Sequence, residues 1–105
     1  MTISLLRLLK HMAWANQRTI EHLETLSNEA LDAYATNPEW KVSEIIRHIV
    51  ESGRFYVYRI TGAFPEVPGE KAVVPQSISD LALLKSQAEV IDRALLGCEP
   101  LEDIQ

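Results

Sequence analysis

Three histidines are the side chains of this chain best suited to bind a metal ion or transfer protons near neutral pH: His11, His22 and His48. His48 lies in a strongly amphipathic segment, four residues after Glu44 and three before Glu51. A neutral imidazole beside a carboxylate predicts a metal ligand, with Glu44 or Glu51 orienting the ring or binding the metal itself. The alternative is a half-exposed histidine that pairs loosely with one of these carboxylates. Because the chain has no His-x-x-x-His or Glu-x-x-His pair, spacing alone favours the alternative.

The other two histidines lie on one predicted helix with Asn16. His11 and His22 are eleven residues apart, which at about 1.5 Å of rise per residue separates them by roughly 16 Å, so they cannot share one ion. His11 is the second candidate metal ligand, since it would approach His48 in a suitable packing register; the alternative for both is a surface histidine. Asn16 interrupts an apolar stripe, and such a residue fixes helix register or holds a polar site when it is buried and hydrogen-bonded.

Length and composition limit the possible classes of protein. The 105 residues predict a single domain over 1–105, and 47% hydrophobic with 24% charged residues is an ordinary globular composition. The net charge of −5 argues against non-specific nucleic-acid binding. No run approaches the roughly 20 apolar residues that cross a bilayer, so no membrane partner is expected. The single cysteine, Cys98, cannot form an internal disulfide, which favours a cytoplasmic location.

Hydrophobic periodicity predicts an all-α fold with three long helices and one short helix. The long helices span 2–26, 43–62 and 77–96, and the short one spans 28–35. Gly62 ends the second long helix, Ser77 and Asp80 resemble a capping box before the third, and a Pro-rich connection covers 63–76. The predicted core stripes are Leu5, Leu9, Met12, Asn16, Thr19, Leu23 and Leu26; Ile45, Ile46, Ile49, Gly53, Tyr56, Val57 and Ile60; and Leu81, Leu84, Ala88, Ile91 and Leu95.

This pattern predicts an up-down helical bundle with more apolar surface than its own core needs. Further apolar residues flank the stripes and widen each face: Leu6, Leu8, Ala13, Ile20, Val50, Phe55, Leu83 and Val90. A face that one copy cannot cover should be covered by another copy or by sequence absent here. We therefore expect a homodimer or a higher homo-oligomer.

Two segments of the chain resemble the DinB-like family, the damage-inducible four-helix bundles. The segment 8–17, with its Trp-Ala-Asn run, resembles that family's first helix, and 42–62 resembles its second long helix. The resemblance implies an up-down-down-up bundle, commonly dimeric, that binds a divalent metal such as zinc or nickel through three histidines. Members act as metal-dependent hydrolases or thiol transferases, in which the metal activates a water or a thiol by lowering its pKa. His48 matches the ligand on the second long helix.

Two departures from the family concern the metal site. The family's other two histidines form a His-x-x-x-His pair on a fourth long helix, which has no counterpart here, and the position five after the ligand, often Glu, is Gly53. We therefore expect a bundle without its fourth long helix and an incomplete site with His48 as one ligand. Two hypotheses remain open: a metal-dependent enzyme of the thiol transferase or hydrolase type, incomplete in this chain, and a non-catalytic module for helical association.

Overall fold

The computed structural model describes residues 4–69 and 71–97, and these form helices and connections without a strand. The three α-helices are α1 (Leu5–Leu23), α2 (Val42–Thr61) and α3 (Leu81–Leu96). Two short 3-10 helices cover Asn28–Asp32 and Ile78–Asp80. The predicted all-α class is confirmed. Within these described residues, no helix is long and apolar enough to span a membrane.

Several helix ends follow directly from local sequence chemistry. The Ser4 hydroxyl accepts a hydrogen bond from the Arg7 backbone N–H at 3.1 Å and caps α1. Gly62 ends α2 in the left-handed region, with φ of 83°, as predicted for a residue that lacks a Cβ. The predicted capping box is present, and Asp80 Oδ2 accepts from the Ser77 N–H at 3.1 Å.

The first helix ends earlier than the periodicity predicts. Beyond Leu23, the backbone N–H groups of Thr25 and Leu26 donate to carbonyls three residues back, each at 3.0 Å. The Thr25 hydroxyl also donates to the His22 carbonyl at 2.6 Å, which competes with helical bonding. This tighter turn ends α1, and the predicted short helix over 28–35 is a 3-10 helix of five residues. The predicted start at Thr2 lies outside the described residues.

The third helix is the central one and packs against both others. It runs antiparallel to α1, because Lys85 near its start approaches Glu24 near the end of α1 at 3.5 Å. Further along α3, Asp92 faces Gln17, which lies earlier in α1. An antiparallel α1 and α3 agree with the up-down-down-up order that the family resemblance implies.

The second helix runs parallel to α3. Ser43 near the start of α2 shares a depression with Pro75 and Gln76, which lie just before α3. At mid-length, a Cβ on Gly53 would stand 2.9 Å from Ile91 Cγ2, so the two helices are in close contact there. The order of directions is up-down-down, and the connection from 62 to 80 must carry the chain back along the length of α2.

Hydrogen bonds hold this long connection against the helices. The Gln87 side chain is completely buried, and its Nε2 donates to the carbonyls of Pro68 at 2.7 Å and Lys71 at 2.9 Å. The Ala72 N–H donates to Glu51 Oε2 on α2 at 3.4 Å. The connection is thus fastened to both α2 and α3, although its prolines exclude regular structure.

The predicted stripe of α3 is confirmed, whereas those of α1 and α2 are partly wrong. Every stripe residue of α3 is buried: Leu81, Leu84, Ala88, Ile91 and Leu95. On the other helices, Ile20 and Val50 are buried although the periodicity places them on the flanks. The predicted core positions that are instead exposed are Met12, Thr19, Leu26, Ile45, Tyr56 and Ile60. The reason is the arrangement: α3 covers one side of α1 and of α2, and the remainder of each apolar face stays open.

Candidate functional site

A groove of about 560 Å³ opens between α1 and α2, with α3 forming its floor. This volume lies in the range of small-molecule sites. The lining is mostly apolar and includes four polar side chains, Asn16, His48, Ser52 and Asp92. Its apolar residues are Leu5, Leu9, Met12, Ile49, Val50, Gly53, Tyr56, Ile60, Ala88, Ile91 and Leu95. The groove is therefore where the open parts of the two apolar faces meet.

His48 stands on the α2 wall of this groove and is exposed. Its Nε2 lies 3.5 Å from the Ser52 hydroxyl, at the outer limit of a hydrogen bond. The Trp40 ring meets the imidazole edge-on, with centroids 5.7 Å apart. Among the described residues no carboxylate forms an ion pair with His48. The imidazole nitrogens are therefore weakly engaged.

The two carboxylates near His48 have partners of their own. Glu44 Oε2 lies 3.6 Å from Arg47 Nε. Glu51 Oε1 accepts from Arg54 Nε at 3.0 Å and Nη2 at 2.8 Å, while Oε2 accepts from the Ala72 N–H. Burial alone raises the pKa of Glu51, but these hydrogen bonds and the charges of Arg54 and Arg47 outweigh it, so the pKa is lowered. Glu51 shares a shallow depression with His48, yet it is directed at Arg54 and the connection.

The other predicted ligand is not brought to the groove. His11 and His22 are exposed on α1 outside the groove lining, and His11 lies against Trp14 with centroids 5.7 Å apart. Residues 4–69 and 71–97 contain no group of three or more His, Cys, Asp and Glu side chains placed to hold a metal ion. This part of the chain offers one imidazole at the groove, which by itself does not make a metal centre.

The two remaining predicted positions face the same groove. Asn16 is half-buried and lines it, so the hydrogen-bond requirement of a fully buried amide does not apply. Gly53 lies on its inner wall, where Ile91 occupies the space that a side chain would need. A side chain at position 53, such as the Glu expected from the family resemblance, would require Ile91 to move.

Asp92 is a further residue of this site and is not among the residues predicted from the sequence. It lines the groove on α3, and its Oδ2 is buried without a hydrogen-bond partner, as is Gln17 Nε2. Burial raises the pKa of Asp92, and the nearby Gln17 amide opposes that rise without closing a hydrogen bond. The available signal was its spacing, four residues after Ala88 and three before Leu95 on an apolar stripe.

The chain matches a known protein family along most of its length. The sequence model described as DinB family matches residues 1–95. No curated protein and no solved structure matches the chain. The matched range includes all three α-helices except the last residue of α3, and it includes the residues that line the groove.

Proposed function

Since the chain belongs to the DinB family, we propose that it acts as a metal-dependent protein of the thiol transferase or hydrolase type. In this proposal His48 supplies one ligand to a divalent ion, zinc or nickel. The observation that carries it is the position of His48, an exposed and weakly engaged imidazole on the wall of the groove. A neutral imidazole in that state can donate its lone pair to a metal.

A single imidazole is not sufficient for catalysis. Catalytic zinc is typically held by three protein ligands with a fourth position open to water or substrate. The described residues do not bring three such ligands together, so we assign no reaction step to this chain. Glu44 and Glu51 now pair with Arg47 and Arg54. Either carboxylate would have to leave its arginine to orient the His48 ring.

Equilibrium dialysis against zinc and against nickel tests this proposal. We expect each wild-type chain to bind one ion and the His48→Ala variant to lose that binding. His22→Ala is the matched control, because His22 is also an exposed helical histidine but lies outside the groove. Equal binding by wild type and His48→Ala would exclude His48 as a ligand.

The second candidate function is a non-catalytic module for helical association. It is favoured by one specific observation, the apolar groove that α1, α2 and α3 leave open. Absence of metal binding above the level of His48→Ala, together with concentration-dependent association, would support this function over the first.

A further inference from the structure

A second depression lies at the start of α2, separate from the groove. Its volume of about 410 Å³ lies in the range of small-molecule sites. It is bounded by the first turn of α2, the segment just before that helix, the 3-10 helix over Asn28–Asp32 and the end of the long connection. Among the described residues, none lines both this depression and the groove. We call it the α2 depression.

The first turn of α2 has two backbone N–H groups without an acceptor. Lys41 precedes the helix and gives it no side-chain cap. The N–H groups of Val42 and Ile45 donate to backbone carbonyls at 2.9 and 3.0 Å. Between them, the N–H groups of Ser43 and Glu44 have no acceptor among the described residues. Such N–H groups, together with the helix dipole, attract an anionic group.

The Ser43 side chain is a second, independent observation that points to a ligand. Ser43 is 5% exposed, and no other described residue forms a hydrogen bond with its hydroxyl. The hydroxyl is nevertheless not sealed from solvent, and the residue lines the α2 depression, so its accessible part opens there. Because buried hydroxyl groups are normally hydrogen-bonded, a ligand in the depression would supply the partner that this one lacks.

The charges around the α2 depression have both signs. Lys41 Nζ lies 3.8 Å from Asp32 Oδ1. Glu44 pairs with Arg47 at 3.6 Å, and the Glu39 carboxylate forms no ion pair with the described residues. Three carboxylates and one ammonium group line the depression, so a polyanion such as phosphate is disfavoured. A bare metal ion is not favoured either, because no group of three or more His, Cys, Asp and Glu side chains in the described part of the chain is placed to hold one.

We propose that the α2 depression binds a free amino acid. The carboxylate of this zwitterion accepts hydrogen bonds from the Ser43 hydroxyl and from the N–H groups of Ser43 and Glu44, and its ammonium group faces Glu39. One charge of each sign thus meets the helix N-terminus and the surrounding carboxylates. The inference goes beyond the metal-dependent function proposed above, because neither His48 nor the groove takes part in it.

Amide NMR of the full chain at neutral pH tests the proposal with L-alanine as the probe. We expect the amide signals of Ser43 and Glu44 to shift saturably as L-alanine is added at millimolar concentrations. Propionate lacks the ammonium group and ethylamine lacks the carboxylate, so each should bind at least about tenfold more weakly than L-alanine. Inorganic phosphate should also bind more weakly, because it adds negative charge beside the carboxylates.

Two variants assign the binding to named groups. Ser43→Ala should raise the dissociation constant for L-alanine about tenfold, since a hydrogen bond to a charged group is lost. Ser86→Ala is the matched control, because Ser86 is exposed on α3 and lines neither the α2 depression nor the groove. Glu39→Gln changes an exposed position, so the fold should tolerate it, which helical circular dichroism would verify. We expect Glu39→Gln to weaken the binding of L-alanine but not that of propionate.

Any of four results would overturn an amino-acid site. These are the absence of a saturable shift with L-alanine, binding of propionate, ethylamine or phosphate as tight as that of L-alanine, equal binding by Ser43→Ala and Ser86→Ala, and L-alanine binding unaffected by Glu39→Gln. The His48→Ala variant should bind L-alanine as wild type does. Failure of this inference and failure of the metal proposal would therefore be observed independently.

Discussion

The carboxyl group of Asp92 is half-buried between α1 and α3, and its ionisation is coupled to folding. An acid whose pKa is raised in the folded state holds its proton more tightly there than in the unfolded chain. The contribution of Asp92 to stability is therefore complete below its pKa in the unfolded chain, about 4. This contribution is lost as the pH rises through its higher pKa in the folded chain. At neutral pH the folded protein contains a poorly solvated carboxylate next to an amide that does not close a hydrogen bond.

We therefore predict that Asp92→Asn stabilises the protein at pH 7. The substitution keeps the shape of the side chain and removes the charge, so the urea midpoint should rise at pH 7 and match wild type below about pH 3. Glu89→Gln is the control, because Glu89 lies on the same helix and is exposed. A lower midpoint for Asp92→Asn at pH 7 would contradict the stated effect of burial on this group.

Single residues also show where sequence reasoning succeeds and where it fails. His48 and Asn16 were selected from residue type and helical spacing, and both line the groove. Asp92 was overlooked, although its spacing to Ala88 and Leu95 places it on the apolar side of α3. The contact between Glu51 and the Ala72 N–H could not be derived, because the two residues are 21 positions apart and their contact depends on how the connection folds back.

At the scale of elements, one side chain holds the long connection to the core. Gln87 is completely buried and donates to two backbone carbonyls of the connection, at Pro68 and Lys71. We predict that Gln87→Leu lowers the free energy of unfolding by about 2 kcal/mol, because two acceptors lose their donor. Urea denaturation measures this change, and hydrogen exchange should show faster exchange near residues 71–72. Gln76→Leu, at an exposed position, should change little.

The contact between α2 and α3 depends on a glycine. A Cβ at position 53 would stand 2.9 Å from Ile91 Cγ2, a methyl group attached at a branched carbon that cannot swing aside easily. We predict that Gly53→Ala destabilises the protein by about 1 kcal/mol, since overpacking exceeds the gain in helix propensity. In an Ile91→Leu background the same substitution should cost less. Equal costs in the two backgrounds would show that the contact is not responsible.

The elements differ in how well their sequence patterns predict them. Gly62 and Asp80 mark helix ends through local chemistry, so both ends were predictable. The central stripe of α3 is predicted completely because neighbouring elements cover it along its length. On α1 and α2 the pattern identifies an apolar side but not the part that a neighbour covers, and Met12 and Ile60 were therefore assigned to a core that they do not enter.

At the scale of the whole molecule, the apolar groove that α1, α2 and α3 leave open would link stability to concentration if a second copy covers it. If dimerisation covers the groove and unfolding separates the chains, a tenfold rise in protein concentration adds about 1.4 kcal/mol per dimer by mass action. For a chain of this size that corresponds to a rise of roughly 3 °C in the melting temperature. The thermal stability of the wild-type chain should therefore increase steadily with concentration.

We predict that this dependence disappears in Met12→Glu and persists in Val73→Glu. The carboxylate at position 12 would face its symmetry mate or the apolar groove of the partner, and in either place it opposes association. Calorimetric scans of each variant over a hundredfold concentration range measure the effect. At the lowest concentration the three proteins should melt close together, since Met12 and Val73 are both about half-exposed in a single copy. A wild-type melting temperature independent of concentration would mean that the groove stays open and that the three-helix core alone sets the stability.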